Sequence, residues 1–237
     1  MSIQFVRPIK LLMMGAPGVG KGTFSRILSR DIMLPELSSG ADLRRIKDSG
    51  EGEIAEEIKR IQQEGGLVSD SIVLKMIVER LKDPKYKRGA ILDGFPRTKS
   101  QAIALNKYTK IDMCIKIDIN ENILTKKLLG RRECKKCQKN YNLFEIKNDE
   151  YDMTPLLPKV DGVCDECGGE LIKRADDNVK TIKKRMVTYK NKTVPMEKYF
   201  MTNGTKVMTF EPKRGVKDYE NFKQQVLDNL NDLNLLL

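Results

Sequence analysis

Gly15-Ala-Pro-Gly-Val-Gly-Lys-Gly-Thr23 is the stretch on which the reading of this chain turns. Ile9-Lys-Leu-Leu-Met-Met14 precedes it and reads as a buried strand. A helical pattern follows, with Phe24, Ile27, Leu28 and Ile32 on one face. Glycines let a backbone curl until successive N–H groups point inward at phosphate oxygens, and the next helix N-terminus adds its partial positive charge. Lys21 supplies a point charge for the β- and γ-phosphates. The generic motif has Ser or Thr directly after the lysine; here Gly22 stands there and Thr23 comes next. An ordinary glycine-rich turn is the plain alternative, and the strand before with the helix after argues for phosphate.

Working outward, strands and helices alternate. Ile54, Ile58 and Ile61 mark a short helix ending at Gly65-Gly66, and Ser69 starts another with Ile72, Val73, Met76, Ile77 and Leu81 as its apolar side. Ala90-Ile-Leu-Asp93 is a short strand running into Gly94-Phe-Pro96. Asp112 to Ile119 alternates as a strand, and Asn120 caps a helix carrying Ile123, Leu124 and Leu128. From about Gly130 to Asp177 the helical period is lost. It resumes at Val179, Ile182 and Met186, where Asp176 and Asp177 are candidate caps, and again from Lys217, with Val207 to Phe210 a strand between. This order predicts an α/β core with a parallel sheet and an inserted module.

Composition narrows the chemistry. The 237 residues include no His and no Trp, which excludes a Ser-His-Asp triad, a Cys-His pair and an HExxH zinc peptidase. Apolar runs stop at about six residues, too short to span a bilayer. Mean hydropathy of -0.46 with 32% charged residues describes a water-soluble chain. The net charge of +11 suits phosphate-rich partners without choosing among them. No leader is visible in Met1 to Pro8, so a reducing cytoplasm is the expected compartment, with the mitochondrial matrix as the alternative.

Cys134-x2-Cys137 and Cys164-x2-Cys167 are two knuckles with 26 residues between them. Each CxxC puts two thiolates on one tight turn, and two turns close a tetrahedral Zn²⁺ site at about 2.3 Å per bond. A closed Cys₄ site has no open position, so the role predicted for the metal is structural; free thiols or disulfides are the alternative, the latter disfavoured in a reducing cytosol, and iron is left open beside zinc. Cys114, inside an apolar strand, reads as core.

Two further segments, Ser38-Ser-Gly-Ala-Asp-Leu-Arg44 and Asp93-Gly-Phe-Pro-Arg-Thr98 with Gln101, join the glycine loop in the same order as in a known family. With Leu67-Val68, Gly130-Arg-Arg132, Arg174-Ala-Asp-Asp177 and Lys184-Arg185, the chain resembles the adenylate kinase-type nucleoside monophosphate kinases over nearly its whole length. The resemblance implies a P-loop core with a parallel five-stranded sheet flanked by helices (1–37, 69–129 and 178–237), an NMP-binding insertion (38–68) and a LID (130–177). It implies Mg²⁺-dependent, reversible phosphoryl transfer from ATP or GTP to AMP. Gly18, Val19, Gly20, Lys21, Gly22 and Thr23 would hold the donor phosphates, with Lys127, Arg131 and Tyr141 also on the donor side and Asp93 holding a water of the Mg²⁺ shell. Ser39, Gly40, Arg44, Gly66, Leu67, Val68, Gly94, Arg97 and Gln101 would bind AMP, joined by Arg174 and Arg185. Lys21, Arg44, Arg97, Arg131, Arg174 and Arg185 would be the catalytic cations. Guanidinium forks grip phosphate oxygens bidentately, although each arginine alone could equally be a solvated surface cation. Zinc-bearing LIDs of bacterial-type relatives look similar to the four-cysteine region.

Departures from the family pattern bear on the donor. Lys127 stands where many members have an arginine that packs on the donor base; Ala41 replaces a common Asp; Ser38-Ser39 replaces Ser-Thr; and Val207 to Val216 differs from the ATP-type consensus. These lean towards GTP. Two other readings compete: a zinc-ribbon nucleic-acid binder that kept a P-loop, and a nucleotide-binding pseudokinase. Lys126, Lys127, Arg131, Arg132, Lys135, Lys136 and Lys139 crowd the first knuckle, but no aromatic residue interleaves with them before Tyr141. All six catalytic cations are present, against a pseudokinase. The expected partners are therefore nucleotides, with no nucleic acid and no membrane, acting on a monomer.

Overall fold

The structure is a computed structural model that describes residues 3–49, 56, 60–61 and 68–237. Ile54, Ile58, Gly65, Gly66 and Leu67 of the sequence reading lie outside the described residues.

β1 (Ile9–Met14) is apolar apart from Lys10, and its other residues are buried on both faces. It leads through the glycine loop into α1 (Lys21–Asp31). β2 (Glu36–Ser38) and α2 (Ser39–Ser49) follow, then α3 (Asp70–Leu81), β3 (Gly89–Asp93), α4 (Lys99–Asn106), β4 (Met113–Ile117) and α5 (Glu121–Gly130). Five short strands come next: β5 (Arg131–Cys134), β6 (Asn140–Asn142), β7 (Ile146–Lys147), β8 (Asp152–Met153) and β9 (Leu171–Ile172). The chain closes with α6 (Val179–Thr188), α7 (Val194–Thr202), β10 (Lys206–Phe210) and α8 (Tyr219–Asp232). The main sheet has strand order β10-β4-β1-β3-β2, and every pairing in it is parallel.

Both faces of that sheet are covered, as a parallel sheet requires. Leu11, Met13, Ile115 and Ile117 point to one side, where Phe24 and Leu28 of α1, Leu124 and Leu128 of α5, and Phe222 and Val226 of α8 meet them. Phe24, Phe210 and Phe222 pack edge to face there, with ring centroids 4.9–6.0 Å apart. Leu12, Leu92 and Cys114 point to the other side, against Val73, Ile77, Leu105, Met196 and Phe200. Cys114 is fully buried, and burial pushes its thiol pKa up, so it is core.

Helix ends account for several boundaries. Asn120 accepts from the Asn122 amide ahead of α5, and Thr98 accepts from the Gln101 amide ahead of α4. Asn178, and neither Asp176 nor Asp177, caps α6 by accepting from the Thr181 amide at 2.9 Å. The two aspartates are committed to arginines instead. The inserted region forms a three-stranded antiparallel sheet, β6-β5-β9, and a β7-β8 hairpin.

Gly89 shows how tightly β1 and β3 are zipped. Its φ is +115°, and a Cβ there would lie 1.8 Å from the Ile9 carbonyl oxygen. Gly89→Ala is expected to cost about 3 kcal/mol of unfolding free energy through backbone strain and strand displacement. Urea denaturation checks this, and an unchanged midpoint contradicts it.

Candidate active site

The glycine loop is held open by its own backbone. Gly15, Gly18 and Gly20 have φ of +131°, +92° and +107°. At Gly15 a Cβ would sit 2.2 Å from the Ile117 carbonyl oxygen, and at Gly18 it would strike Leu128 at 2.8 Å. The loop is therefore clamped against β4 at Gly15 and against α5 at Gly18, with no room for a side chain at either. α1 begins at Lys21 with no side-chain cap, leaving its first amides for a ligand. Lys21 Nζ donates to the carbonyls of Gly15 at 2.8 Å and Ala16 at 3.0 Å. Burial lowers its pKa to about 8, although Asp93 pulls the other way.

Two cavities meet at this loop. The smaller, about 210 Å³, is lined by Gly18 to Thr23, Glu36, Asp93, Lys127, Arg131, Tyr141 and the apolar group Phe144, Met153 and Leu156. The larger, about 760 Å³, is lined by Ser39, Gly40, Leu43, Val68, Phe95 and Gln101. Lys21, Arg44, Arg97, Arg174 and Arg185 line both. Of the residues singled out from sequence, Gly66 and Leu67 lie outside the described residues; the others, the four cysteines apart, line one cavity or the other.

The arginines that line these cavities are largely buried, and most of them pair with carboxylates. Arg131 binds Asp177 through two hydrogen bonds of 2.8 and 2.6 Å. Arg185 donates to Asp176 at 2.8 Å. Arg174 pairs with Glu133, whose other oxygen lies 3.2 Å from Arg44 Nε. Arg97 Nε donates to the Gly94 carbonyl at 2.7 Å. Burial lowers the pKa of Arg44 and Arg131 to about 10, with the Arg174 charge the next cause, and burial also lowers those of Arg97 and Arg185. Lowered guanidinium pKa values here follow from taking these cations out of water and setting them close together, against the pull of nearby carboxylates. The buried Nε atoms of Arg44 and Arg174 have no hydrogen-bond partner.

Other predicted residues take definite places. Gln101 Oε1 accepts from the Arg97 amide at 2.6 Å, and its Nε2 donates to Asp70 at 2.7 Å. Tyr141 lines the smaller cavity, yet its hydroxyl donates to Cys164 Sγ and accepts from the Asp165 amide. Three site residues escaped the sequence reading. Glu36 and Glu133 are single acids with no motif around them, and Met153 lies in a stretch without period; only burial beside the wall marks them out.

Asp93, Glu36 and Thr23 offer hard oxygen ligands beside Lys21 in one cavity, a donor set that suits Mg²⁺ with a triphosphate. The sulfurs of Cys134, Cys137, Cys164 and Cys167 lie within 4.8 Å of one another, none in a disulfide. Burial pushes Cys164 up, but hydrogen bonds from Tyr141 and from the Glu166 and Cys167 amides prevail and bring it down to about 6. Four converging soft ligands with one thiolate already favoured could hold zinc.

Comparison with known proteins agrees with this geometry. The family model described as adenylate kinase matches residues 13–205. A GTP:AMP phosphotransferase of Plasmodium falciparum is 40% identical over 219 residues, covering 90% of this chain and 94% of that protein. An adenylate kinase of Treponema denticola is 38% identical over 189 residues, covering 80% and 85%. The probable adenylate kinase 1, chloroplastic, of Oryza sativa subsp. japonica is 36% identical over 220 residues, covering 90% and 73%. Among the described residues no helix is long and apolar enough to cross a membrane.

Glu36 gives the site a pH signature. Burial, then the Asp93 charge, raises its carboxyl from 4.5 to about 7, against a hydrogen bond from Ser25. The folded state thus binds a proton that the unfolded state has released, so stability falls as pH rises from about 4.5 to about 7 and levels above. Glu36→Gln keeps an oxygen for Ser25 and removes the penalty. Its stability relative to the parent should improve between pH 5 and pH 8 by about 2 kcal/mol in denaturant titrations. A pH-independent difference contradicts this.

Proposed function

The chain belongs to the adenylate kinase family, and on that footing we propose that it transfers a phosphoryl group from a nucleoside triphosphate in the smaller cavity to AMP in the larger. The observation that carries this reading is the shared wall. Two cavities meet at one set of largely buried cations, where the phosphates of two ligands would lie end to end.

Phosphoryl transfer asks for in-line positioning and for neutralisation of charge on the moving group, and it needs little proton traffic. A chain without His loses nothing by that standard. The glycine-loop amides and Lys21 would hold the donor's β- and γ-phosphates, and Arg44 with Arg97 would hold the AMP phosphate. Arg131, Arg174 and Arg185 would grip the group in flight, as charge spreads over its equatorial oxygens. Mg²⁺ bound with the triphosphate supplies further neutralisation, with Asp93, and Glu36 once ionised, as the carboxylates nearest to it. The Nε of Arg174, which makes no hydrogen bond, and that of Arg44, which has an ion-pair contact but no hydrogen bond, are capacity that arriving phosphate oxygens would fill.

Residues 38–68 and 130–177 serve in this reading as the moving parts. What supports it is how the cysteine-bearing region touches its neighbours. Glu133 meets Arg44, Gln138 accepts from Arg44 at 3.3 Å, and Arg26 donates to the Cys137 carbonyl at 3.0 Å. These are side-chain contacts that can break and re-form without unpairing a strand. Closure would exclude water and so protect the phosphoryl group from hydrolysis. Zinc on the four cysteines would keep the region stiff.

The test is a coupled assay with AMP as acceptor, Mg²⁺, and a panel of nucleoside triphosphates. Turnover is expected, and Lys21→Ala should lower kcat by about 100- to 1,000-fold. No turnover with any triphosphate, in folded and zinc-loaded protein, overturns the reading. Elemental analysis should find one zinc per chain. Stripping it should lower stability by about 3 kcal/mol, roughly 10 °C in a chain this long, as read by calorimetry.

A further inference from the structure

We propose that Glu133 sets the selectivity of the acceptor cavity: its carboxylate occupies arginines that would hold the AMP phosphate, so that inorganic phosphate is refused and a nucleoside monophosphate is admitted. This rests on the reading of the larger cavity as the acceptor site. Among the described residues that cavity is lined by three acids, Glu56, Glu133 and Asp176. Glu133 is the buried one, at 4% exposure. Its two oxygens go to arginines of different segments. Oε2 accepts from Arg174 Nη2, and Oε1 lies 3.2 Å from Arg44 Nε on α2.

The placement follows from β5. Side chains alternate along a strand, so Arg131 and Glu133 share one face of β5 while Arg132 and Cys134 take the other. β5 is the middle strand of its sheet, with Glu133 paired to Asn140 of β6 and to Ile172 of β9. Bonded on both sides, this backbone moves only with the sheet. Neutral amides stand beside the carboxylate on both arginines: Gln138 Oε1 accepts from Arg44 and Asn140 Oδ1 from Arg174, each at 3.3 Å. The match is incomplete, since neither Arg44 Nε nor Arg174 Nε makes a hydrogen bond. Burial and the Arg174 charge lower the Arg44 pKa to about 10, and Glu133 is the foremost carboxylate opposing them. Asp177 is a different kind of partner. It is fully buried beside Arg131 and lines neither cavity, so it supports its arginine without meeting a ligand.

A carboxylate and a phosphate compete for the same guanidinium donors, and two anions on one pair of arginines repel strongly where water is scarce. Inorganic phosphate has only those donors to gain. A nucleoside monophosphate has more, because Leu43, Val68 and Phe95 offer apolar surface to its base and Gln101 an amide. Binding energy collected away from the phosphate can offset the repulsion. The carboxylate thus weakens both anions and leaves the nucleotide alone able to bind.

The experiment measures AMP binding by calorimetry with and without inorganic phosphate, at constant ionic strength, in the full-length zinc-loaded protein and in Glu133→Gln and Glu133→Asp. In the parent, phosphate should barely weaken AMP binding. Glu133→Gln, of the same shape without the charge, should bind AMP about 10- to 100-fold more tightly and lose that gain to competing phosphate. Competition against AMP is the quantity read, so phosphate bound at the glycine loop alone leaves it unmoved. Glu133→Asp keeps the charge and should stay near the parent. In turnover assays Glu133→Gln should lower KM for AMP and leave KM for the triphosphate unchanged. Weaker AMP binding in Glu133→Gln overturns the proposal, by marking Glu133 as a support for its arginines. Unchanged binding of both anions also overturns it, as does Glu133→Asp behaving like Glu133→Gln. Should Glu133→Gln fail to fold, the parent decides, and phosphate that competes strongly with AMP there overturns the proposal. If AMP does not bind the parent at all, the acceptor reading falls by itself; phosphate titrated alone then tests Glu133, and no gain in Glu133→Gln overturns its role.

Discussion

Buried positive charge at the mouth of the glycine loop is the constraint around which this molecule is arranged. Taking a guanidinium out of water is costly unless an anion goes with it. The protein supplies those anions itself: Asp177 to Arg131, Asp176 to Arg185, and Glu133 to Arg174 and Arg44. Phosphate binding in this site is then an exchange of anionic partners, and the desolvation of the cations is already complete. The cost of holding like charges together has been met at folding by the apolar packing on both faces of the parallel sheet.

The cysteine region depends on the same arrangement in another way. Its own buried cluster consists of Cys134, Tyr141 and Cys164, with Cys137, Cys167 and Leu171 against them. So small a core is too little to keep β5, β6 and β9 in place, whereas the β7-β8 hairpin packs Tyr151 and Met153 into the main core. Convergent thiolates that close on a metal would supply the missing rigidity. A stiff region tethered by breakable side-chain contacts can carry Arg131, Arg174 and Glu133 as a unit. A soft one would let each charge find its own partner.

Much of this could be read from the residues alone. The strand Ile9–Met14, the glycine loop and α1 follow from local chemistry, as do the Asn120 cap and the paired knuckles, because spacing by itself defines them. Other parts were settled by contacts far away in sequence. β2 has three residues, two of them Glu and Ser, and is a strand because β3 pairs with it. α7 begins at Val194-Pro195, where proline reads as a breaker but fits the first helical turn. Asp176 and Asp177 looked like helix caps; the pull of Arg131 and Arg185 outweighed that use and left the cap to Asn178. Glu36 and Glu133 are plain acids in the sequence, and their importance comes from burial that periodicity does not register.

The absence of His and the low pKa of Lys21 belong to one argument. With no imidazole near, the groups in this cavity that could change protonation near neutral pH include Lys127, at about 8, and, at the loop itself, Lys21, at about 8, and Glu36, at about 7. The two values at the loop are set mainly by burial, and a phosphate entering the cavity acts on them in the same direction. Its negative charge raises both and so keeps Lys21 charged and Glu36 protonated, while a divalent cation arriving with the triphosphate pushes Glu36 back towards ionisation. In the proposed reaction the nucleotide and its metal would thus set the charge state of the site that receives them. A site built from permanently charged arginines leaves its adjustable charge to these few groups, and they line the cavity proposed for the triphosphate.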